Sequence, residues 1–291
     1  MPAIPRPRRS VLYTPGAKER ALEKAKSLPA DALILDLEDA TSPTDKPAAR
    51  DFVAAVTAQK SFGAREVAIR INGLDTEWGE EDLVTASRAA PNAILIPKVN
   101  YAADIHTVEQ KMQAAGALAT TTIWAMMETP LGILNAAEIA AASPRLTCFI
   151  LGTNDLVKDL HAAHTPERAP LLTSLSLCLL AARAHGLACI DGVYNAFRDD
   201  HGLRAACAQG RDMGFDGKTL IHPAQLAIAN EVFTPSPGDI TLAQRYVEAF
   251  AKAGSGVAVV DGKIVENLHV ENAQRLLAEA AAIAELEAAS A

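Results

Sequence analysis

Eight times along this chain a short apolar run is followed by an amphipathic stretch, and that alternation limits the possible folds more than any other feature. The runs are Ser10–Tyr13, Ala32–Leu37, Glu66–Ile71, Ala93–Val99, Thr122–Met127, Cys148–Gly152, Ala188–Gly192 and Thr219–Ile221. Most are continuously apolar rather than alternating, which marks strands covered on both faces. The stretches between them read as helices. Ala17–Leu28 places Glu and Lys on one side and Ala and Leu on the other; Thr44–Ala58 opens on an Asp- and Pro-containing start signal; Leu171–His185 stops at Gly186. Eight strand–helix units predict an α/β fold, a (β/α)8 TIM barrel, with an open doubly wound sheet as the alternative. Aromatics are only 4% of a chain that is 49% hydrophobic, so Ala, Leu and Ile do most of the packing, as suits helices wrapped on a parallel sheet.

The barrel is expected to end near residue 238. Residues 239–291 then form an extension with a helix at Ile240–Ala253, a hairpin at Val257–Glu266 turning on Asp261-Gly262, and a long helix at Asn267–Glu287. It should dock on its own barrel or on a neighbouring subunit. The formal net charge of -8 argues against nucleic acid as a partner. No run approaches the ~20 apolar residues of a membrane span. Met1–Arg9 is rich in Pro and Arg without an apolar centre, unlike a secretory signal. Cys148, Cys178, Cys189 and Cys207 form no CxxC unit and lie in apolar stretches, which reads as reduced core thiols of a cytoplasmic protein.

Chemistry in such a barrel gathers at the C-terminal ends of its strands. The second run ends in Asp36-Leu37-Glu38-Asp39, and carboxylates there must meet a metal, a cation or water, unless they merely enrich a helix N-terminus. Arg70 lies inside the third run, one residue before its end, and either faces the mouth or pairs with Asp36 or Glu38. Lys98 is a Schiff-base candidate or, more in keeping with the acids around it, a structural cation. Glu128 and Asp155 follow the fifth and sixth runs at matching positions. Neighbouring strands lie about 4.8 Å apart, so these two acids can share one hard cation such as Mg2+; capping two helices is the alternative. Thr153 and Asn154 shape that loop. His222 is a weak site candidate or a helix cap. Tyr13, in the first loop, precedes a Pro-Gly turn, and Lys18, Arg20 and Lys24 follow on a helix able to meet phosphates or simply to face solvent.

Taken in order, RRSVLYTPG (8–16), DALILDLEDA (31–40), DKPAAR (45–50), VAIRINGLDT (67–76), ILIPKV (94–99), METPLGILNA (127–136), LGTNDL (151–156) and GFDGKTLIHPAQ (214–225) resemble the citrate lyase β-subunit-like acyl-CoA lyases, a group that includes malyl-CoA and citramalyl-CoA lyases. The resemblance implies that Glu128 and Asp155 hold Mg2+, with Mn2+ as a substitute. It implies that Arg70 grips the carboxylate of a 2-oxo acid, that Asp36 and Glu38 order Arg70 and metal-bound water, and that Tyr13, Lys18 and Lys24 lie near coenzyme A. It also implies a homotrimer or double trimer in which each extension covers a neighbour's active site. One departure stands out: related lyases carry an acid/base Asp in the tail, where this chain has Glu266 in Gly262-Lys263-Ile264-Val265-Glu266. The expected reaction is cleavage of a 3-hydroxyacyl-CoA to acetyl-CoA and a 2-oxo acid, or the reverse. The alternatives are a citrate lyase β subunit acting on a citryl-acyl-carrier protein within a complex, a CoA-independent Mg2+ aldolase, and a thioesterase side activity.

Overall fold

The computed structural model describes residues 6–254 and 256–290. The apolar runs become β1 (Ser10–Pro15), β2 (Ala32–Asp36), β3 (Glu66–Arg70), β4 (Ala93–Ile96), β5 (Thr122–Met127), β6 (Leu146–Leu151), β7 (Ala188–Asp191) and β8 (Gly217–Leu220). Each pairs in parallel with the next, and β8 returns to β1 with Val11 opposite Thr219, so the sheet closes and the doubly wound alternative falls. The helices around it are α1 (Glu19–Ala25), α2 (Lys46–Ala58), α3 (Gly79–Ala89), α4 (Ala102–Ala114), α5 (Pro130–Leu134), α6 (Ala136–Ala140), α7 (Thr153–Asp159), α8 (Leu172–Ala184), α9 (Asp200–Met213) and α10 (Leu226–Phe233).

The strands read as apolar throughout because each serves two cores. Val11, Ile34, Leu95, Trp124, Ile150 and Ile190 fill the barrel interior. Leu33, Leu35, Ile69, Ile94 and Phe149 face outward into the layer beneath the helices. At the N-terminal end the interior is closed by Arg8, whose guanidinium donates to both Glu66 oxygens at 2.7 and 2.9 Å and lies 5.3 Å over the Trp124 ring.

The eighth unit differs from its sequence reading. Asp216-Gly217-Lys218 looks like a turn, yet Gly217 and Lys218 belong to β8 and Lys218 is 1% exposed. Its Nζ donates to Asp191 Oδ2 at 2.7 Å, and Arg168 Nη1 donates to both Asp191 oxygens at 2.7 Å. Burial alone would raise the Asp191 carboxyl, but Lys218 and Arg168 outweigh it and hold it below the ordinary carboxylate range. Gly210 on α9 allows this close approach, since a Cβ there would lie 2.9 Å from Asp191 Oδ2.

Beyond the barrel come α11 (Pro237–Ala253), β9 (Val257–Val260), β10 (Lys263–Glu266) and α12 (Asn267–Ser290). Ser236 caps α11 through a reciprocal box with Asp239, so this helix starts earlier than the apolar pattern suggests. The hairpin has its own small core: Ala258, Val260, Val265 and Val270 pack on Tyr246, Val247 and Phe250. α12 then runs back to the N-terminal end of its own barrel, where Glu287 Oε1 meets Arg9 Nη1 at 2.8 Å and Ala282 and Ile283 are buried. The four cysteines are free and buried. Among the described residues no helix is long and apolar enough to cross a membrane.

Candidate active site at the barrel mouth

On one side of the mouth, Asp36 and Arg70 are register partners at the ends of β2 and β3. Arg70 Nε and Nη2 donate to Asp36 Oδ1 and Oδ2 at 2.7 and 2.6 Å. The backbone N–H groups of Glu38 and Ala40 occupy further lone pairs of the same carboxylate at 2.9 and 3.2 Å. Asp36 is therefore saturated and fixes both the guanidinium and the loop that follows β2. Of the two readings of Arg70, the pairing with Asp36 is realised, and what remains toward the mouth is Nη1. That atom lies 2.6 Å from Glu38 Oε2, a contact not aligned as a hydrogen bond, and Tyr13 supports the guanidinium from below at 5.0 Å. Burial pushes the Glu38 carboxyl above its usual range against the pull of Arg70.

The scaffold behind this loop escaped the sequence reading. Lys46 Nζ donates to the Leu37 and Glu38 carbonyls at 2.9 and 2.7 Å and to Asn72 Oδ1 at 2.6 Å. Asn72 in turn donates to Leu37 O, and Asp82 receives Arg50 Nε at 2.6 Å and the Asn72 backbone N–H at 3.0 Å. The available signal was spacing: Lys46, Ala49, Arg50 and Val53 form one buried stripe of α2, so two cations sit where only apolar residues belong.

On the other side, Met127 is the register partner of Leu151, so the residue beside Glu128 is Gly152, whose N–H donates to Met127 O at 3.1 Å. The expectation that Glu128 and Asp155 occupy matching strand-end positions is thus corrected: Asp155 lies in the first turn of α7. Gly152 leaves room for the acid, because a Cβ there would be 2.4 Å from Glu128 Oε2. Neither carboxylate is a helix cap. Thr129 caps α5, and α7 has no side-chain cap. Glu128 is 1% exposed and Oε1 accepts the Lys98 backbone N–H at 2.8 Å. Asp155 has no side-chain hydrogen bond or ion pair among the described residues. Burial, reinforced by Glu38, pushes the Glu128 carboxyl up to about 8 despite the Lys98 N–H and Arg70.

A buried carboxylate with no ion-pair partner is the state a bound cation relieves. Among the described residues no cluster of three or more His, Cys, Asp or Glu forms a self-sufficient metal cage. Two carboxylates with open positions nevertheless fit Mg2+, which keeps waters and takes substrate oxygens. Gly152→Ala is expected to displace Glu128 and weaken Mg2+ binding about 10–100-fold, read by Mg2+ titration of the thermal midpoint; an unchanged midpoint response would remove Glu128 from that role.

The other sequence candidates divide. Lys98 Nζ stands 3.4 Å from Glu38 Oε1, and although burial lowers its pKa, Glu38, Glu128 and Asp155 raise it further. A Schiff-base lysine needs a lowered pKa, so Lys98 serves as the charge-balancing cation. Thr153 is buried against Gly192, and Asn154 exchanges amide hydrogen bonds with Asn195 at 3.2 and 2.8 Å. His222 Nδ1 caps Ala224 N–H at 3.1 Å while its ring stacks on Phe197 at 4.7 Å. Lys18 and Lys24 are exposed at α1, apart from Tyr13, which is committed to Arg70 and Met126. Glu266 is exposed on β10, its described bond runs from its backbone N–H to His269 Nδ1, and none is described between its side chain and the residues of the mouth.

The family model HpcH/HpaI aldolase/citrate lyase matches residues 9–223, from the start of β1 past the end of β8. The chain belongs to the HpcH/HpaI aldolase/citrate lyase family. This family member is 58% identical over 285 residues to the (3S)-malyl-CoA thioesterase of Cereibacter sphaeroides (strain KD131), covering 97% of this chain and 98% of that one. It is 35% identical over 283 residues to citrate lyase subunit beta of Escherichia coli (strain K12), covering 94% of each. Among solved structures it is similar to protein CitE from Mycobacterium tuberculosis in complex with magnesium, acetoacetate and coenzyme A. The TM-score is 0.78 at 27% identity, covering 94% of this chain and 97% of the other.

Proposed function

We propose that the mouth binds a 3-hydroxyacyl-CoA thioester of the malyl-CoA type together with Mg2+, and that the net reaction is hydrolysis to the free hydroxy acid and coenzyme A. The observation that carries the site is Glu128, a buried carboxyl without a cation, set beside Asp155 and facing the fixed Arg70. The choice of hydrolysis is supported by the 58% identical relative that bears a malyl-CoA thioesterase name. Glu128 and Asp155 would hold Mg2+ (Mn2+ as substitute), which supplies charge stabilisation for substrate oxygens when bound.

The chain's own residues do the rest. Arg70 orients the terminal carboxylate through Nη1, and Asp36 keeps the guanidinium still. Glu38, with its raised carboxyl, takes the proton of the attacking water. The water oxygen joins the thioester carbonyl, the C–S bond breaks, and the proton returns to the leaving sulfur. Tyr13 holds Arg70 from beneath, while Lys18 and Lys24 meet the phosphates of the coenzyme.

A second reading is carbon–carbon cleavage to acetyl-CoA and a 2-oxo acid, favoured by the similarity to citrate lyase subunit beta. It needs an acid at the enolate carbon. Glu266 would take that role from another copy, since among the described residues β10 packs mainly on β9, α11 and α12 of its own extension. In that reading residues 1–238 are the catalytic domain and 239–291 cover a neighbour's mouth in a trimer or double trimer.

Incubation with (3S)-malyl-CoA and citramalyl-CoA, with Mg2+ and then with EDTA, separates these readings. Hydrolysis yields malate (citramalate from citramalyl-CoA) and free thiol in equal amounts without a 2-oxo acid. Stoichiometric acetyl-CoA with glyoxylate (pyruvate from citramalyl-CoA) would select cleavage, and full activity in EDTA would sink both. Glu266→Gln is expected to leave hydrolysis intact and to reduce any cleavage about 10²–10⁴-fold.

A further inference from the structure

We propose a second binding site, for a small multivalent oxyanion of phosphate size, at the base of the barrel beside the N-terminal ends of β3 and β4. A cavity of about 230 Å3 lies there, lined by Arg6, Thr57, Lys60, Arg65, Pro91 and Asn92 together with neighbouring backbone. It lies at the opposite end of the strands from Glu128 and Asp155, and the inference does not depend on the reaction proposed above.

Three cations converge on this cavity in a chain whose net charge is -8. Arg65 is 7% exposed, and its bonds run only to carbonyls, Nε to Leu28 at 2.6 Å and Nη1 to Phe62 at 3.2 Å. Burial lowers its pKa with no carboxylate acting against it. Lys60 likewise donates to a carbonyl, that of Ala90. The nearby acid Glu66 is taken up closely by Arg8 at 2.7 Å, leaving Arg6 a loose contact of 3.7 Å. A second, independent feature is Thr57: it is 3% exposed, lines the cavity, and its hydroxyl has no hydrogen-bond partner.

Buried unpaired donors and cations carry a desolvation penalty that an anion removes through charge-assisted hydrogen bonds. The volume is below the roughly 300–1,000 Å3 of pockets for larger ligands, so the fit is to a compact anion or the terminal phosphate of a longer molecule. Lys60 is exposed and Thr57→Val is isosteric, so both can be altered without opening the core.

The test is calorimetric titration of the full chain with inorganic phosphate and, separately, with glycerol 3-phosphate, on the parent, Lys60→Met, Thr57→Val and Glu128→Gln. Saturable binding at one site per chain is expected, weakened roughly tenfold by Lys60→Met and measurably by Thr57→Val, and indifferent to Glu128→Gln. Tighter binding of phosphate than of the ester identifies a free anion as the occupant, and the reverse identifies a phosphomonoester. Absence of saturation up to about 50 mM, or binding that ignores Lys60→Met and Thr57→Val, overturns the site.

Discussion

Glu128→Gln should cut turnover about 10²–10³-fold and at the same time make the metal-free protein more stable at pH 8. The two effects have one cause. The carboxyl is raised from 4.5 to about 8 in the folded chain by burial first and by Glu38 second. Between those values the unfolded chain releases this proton and the folded chain keeps it. Stability from this group is therefore complete at low pH and is lost as pH rises, at about 1.4 kcal/mol per unit, on the order of 4 kcal/mol by pH 8. Gln carries no such charge and escapes the loss. Mg2+ should offset the same loss in the parent, so its stabilising effect should be larger at pH 8 than at pH 5 and absent from the variant. Denaturant melts at the two pH values, with and without Mg2+, measure this directly. Equal stability of parent and variant at pH 8 without metal would show that Glu128 is not the strained acid described above.

Asp191→Asn is the largest expected loss of fold stability. It leaves Lys218 and Arg168 in the layer beneath the helices without the carboxylate that both contact at 2.7 Å. Stranding buried charge in this way costs about 3–5 kcal/mol. The direction with pH is opposite to that of Glu128. Asp191 is held below its ordinary 3.8, so its contribution is fully present above that value and disappears as pH falls through the depressed pKa. Urea unfolding at pH 7 and at pH 3 should show a wide gap between parent and variant that narrows in acid. A gap under about 1 kcal/mol at pH 7 would mean that the two cations find other partners.

The barrel was legible because strands that face two cores must be apolar along nearly their whole length, as residues 32–35 of β2 and all of Ala93–Ile96 are. Arg70 and the acids after β2 were legible because charge at the end of such a run has few explanations. Lys218 was not, since a lysine after Asp-Gly resembles a turn and its partner Asp191 is 27 residues away in sequence. The placement of Asp155 was missed by one turn: sequence spacing does not say where β6 stops and α7 begins. Glu266 is a different case. The resemblance gives it a role, but its surroundings depend on the hairpin packing on α11 and α12, which the residue pattern does not specify.

The Arg8–Glu66 plug over Trp124 has a consequence for traffic through the molecule. With the interior filled and the far end stoppered, the thioester and products of the proposed reaction would share one doorway, and the bulky coenzyme would have to back out the way it entered. On that proposal free coenzyme A should compete with the thioester for entry, and its departure, rather than the bond-breaking itself, would set the ceiling on the catalytic cycle.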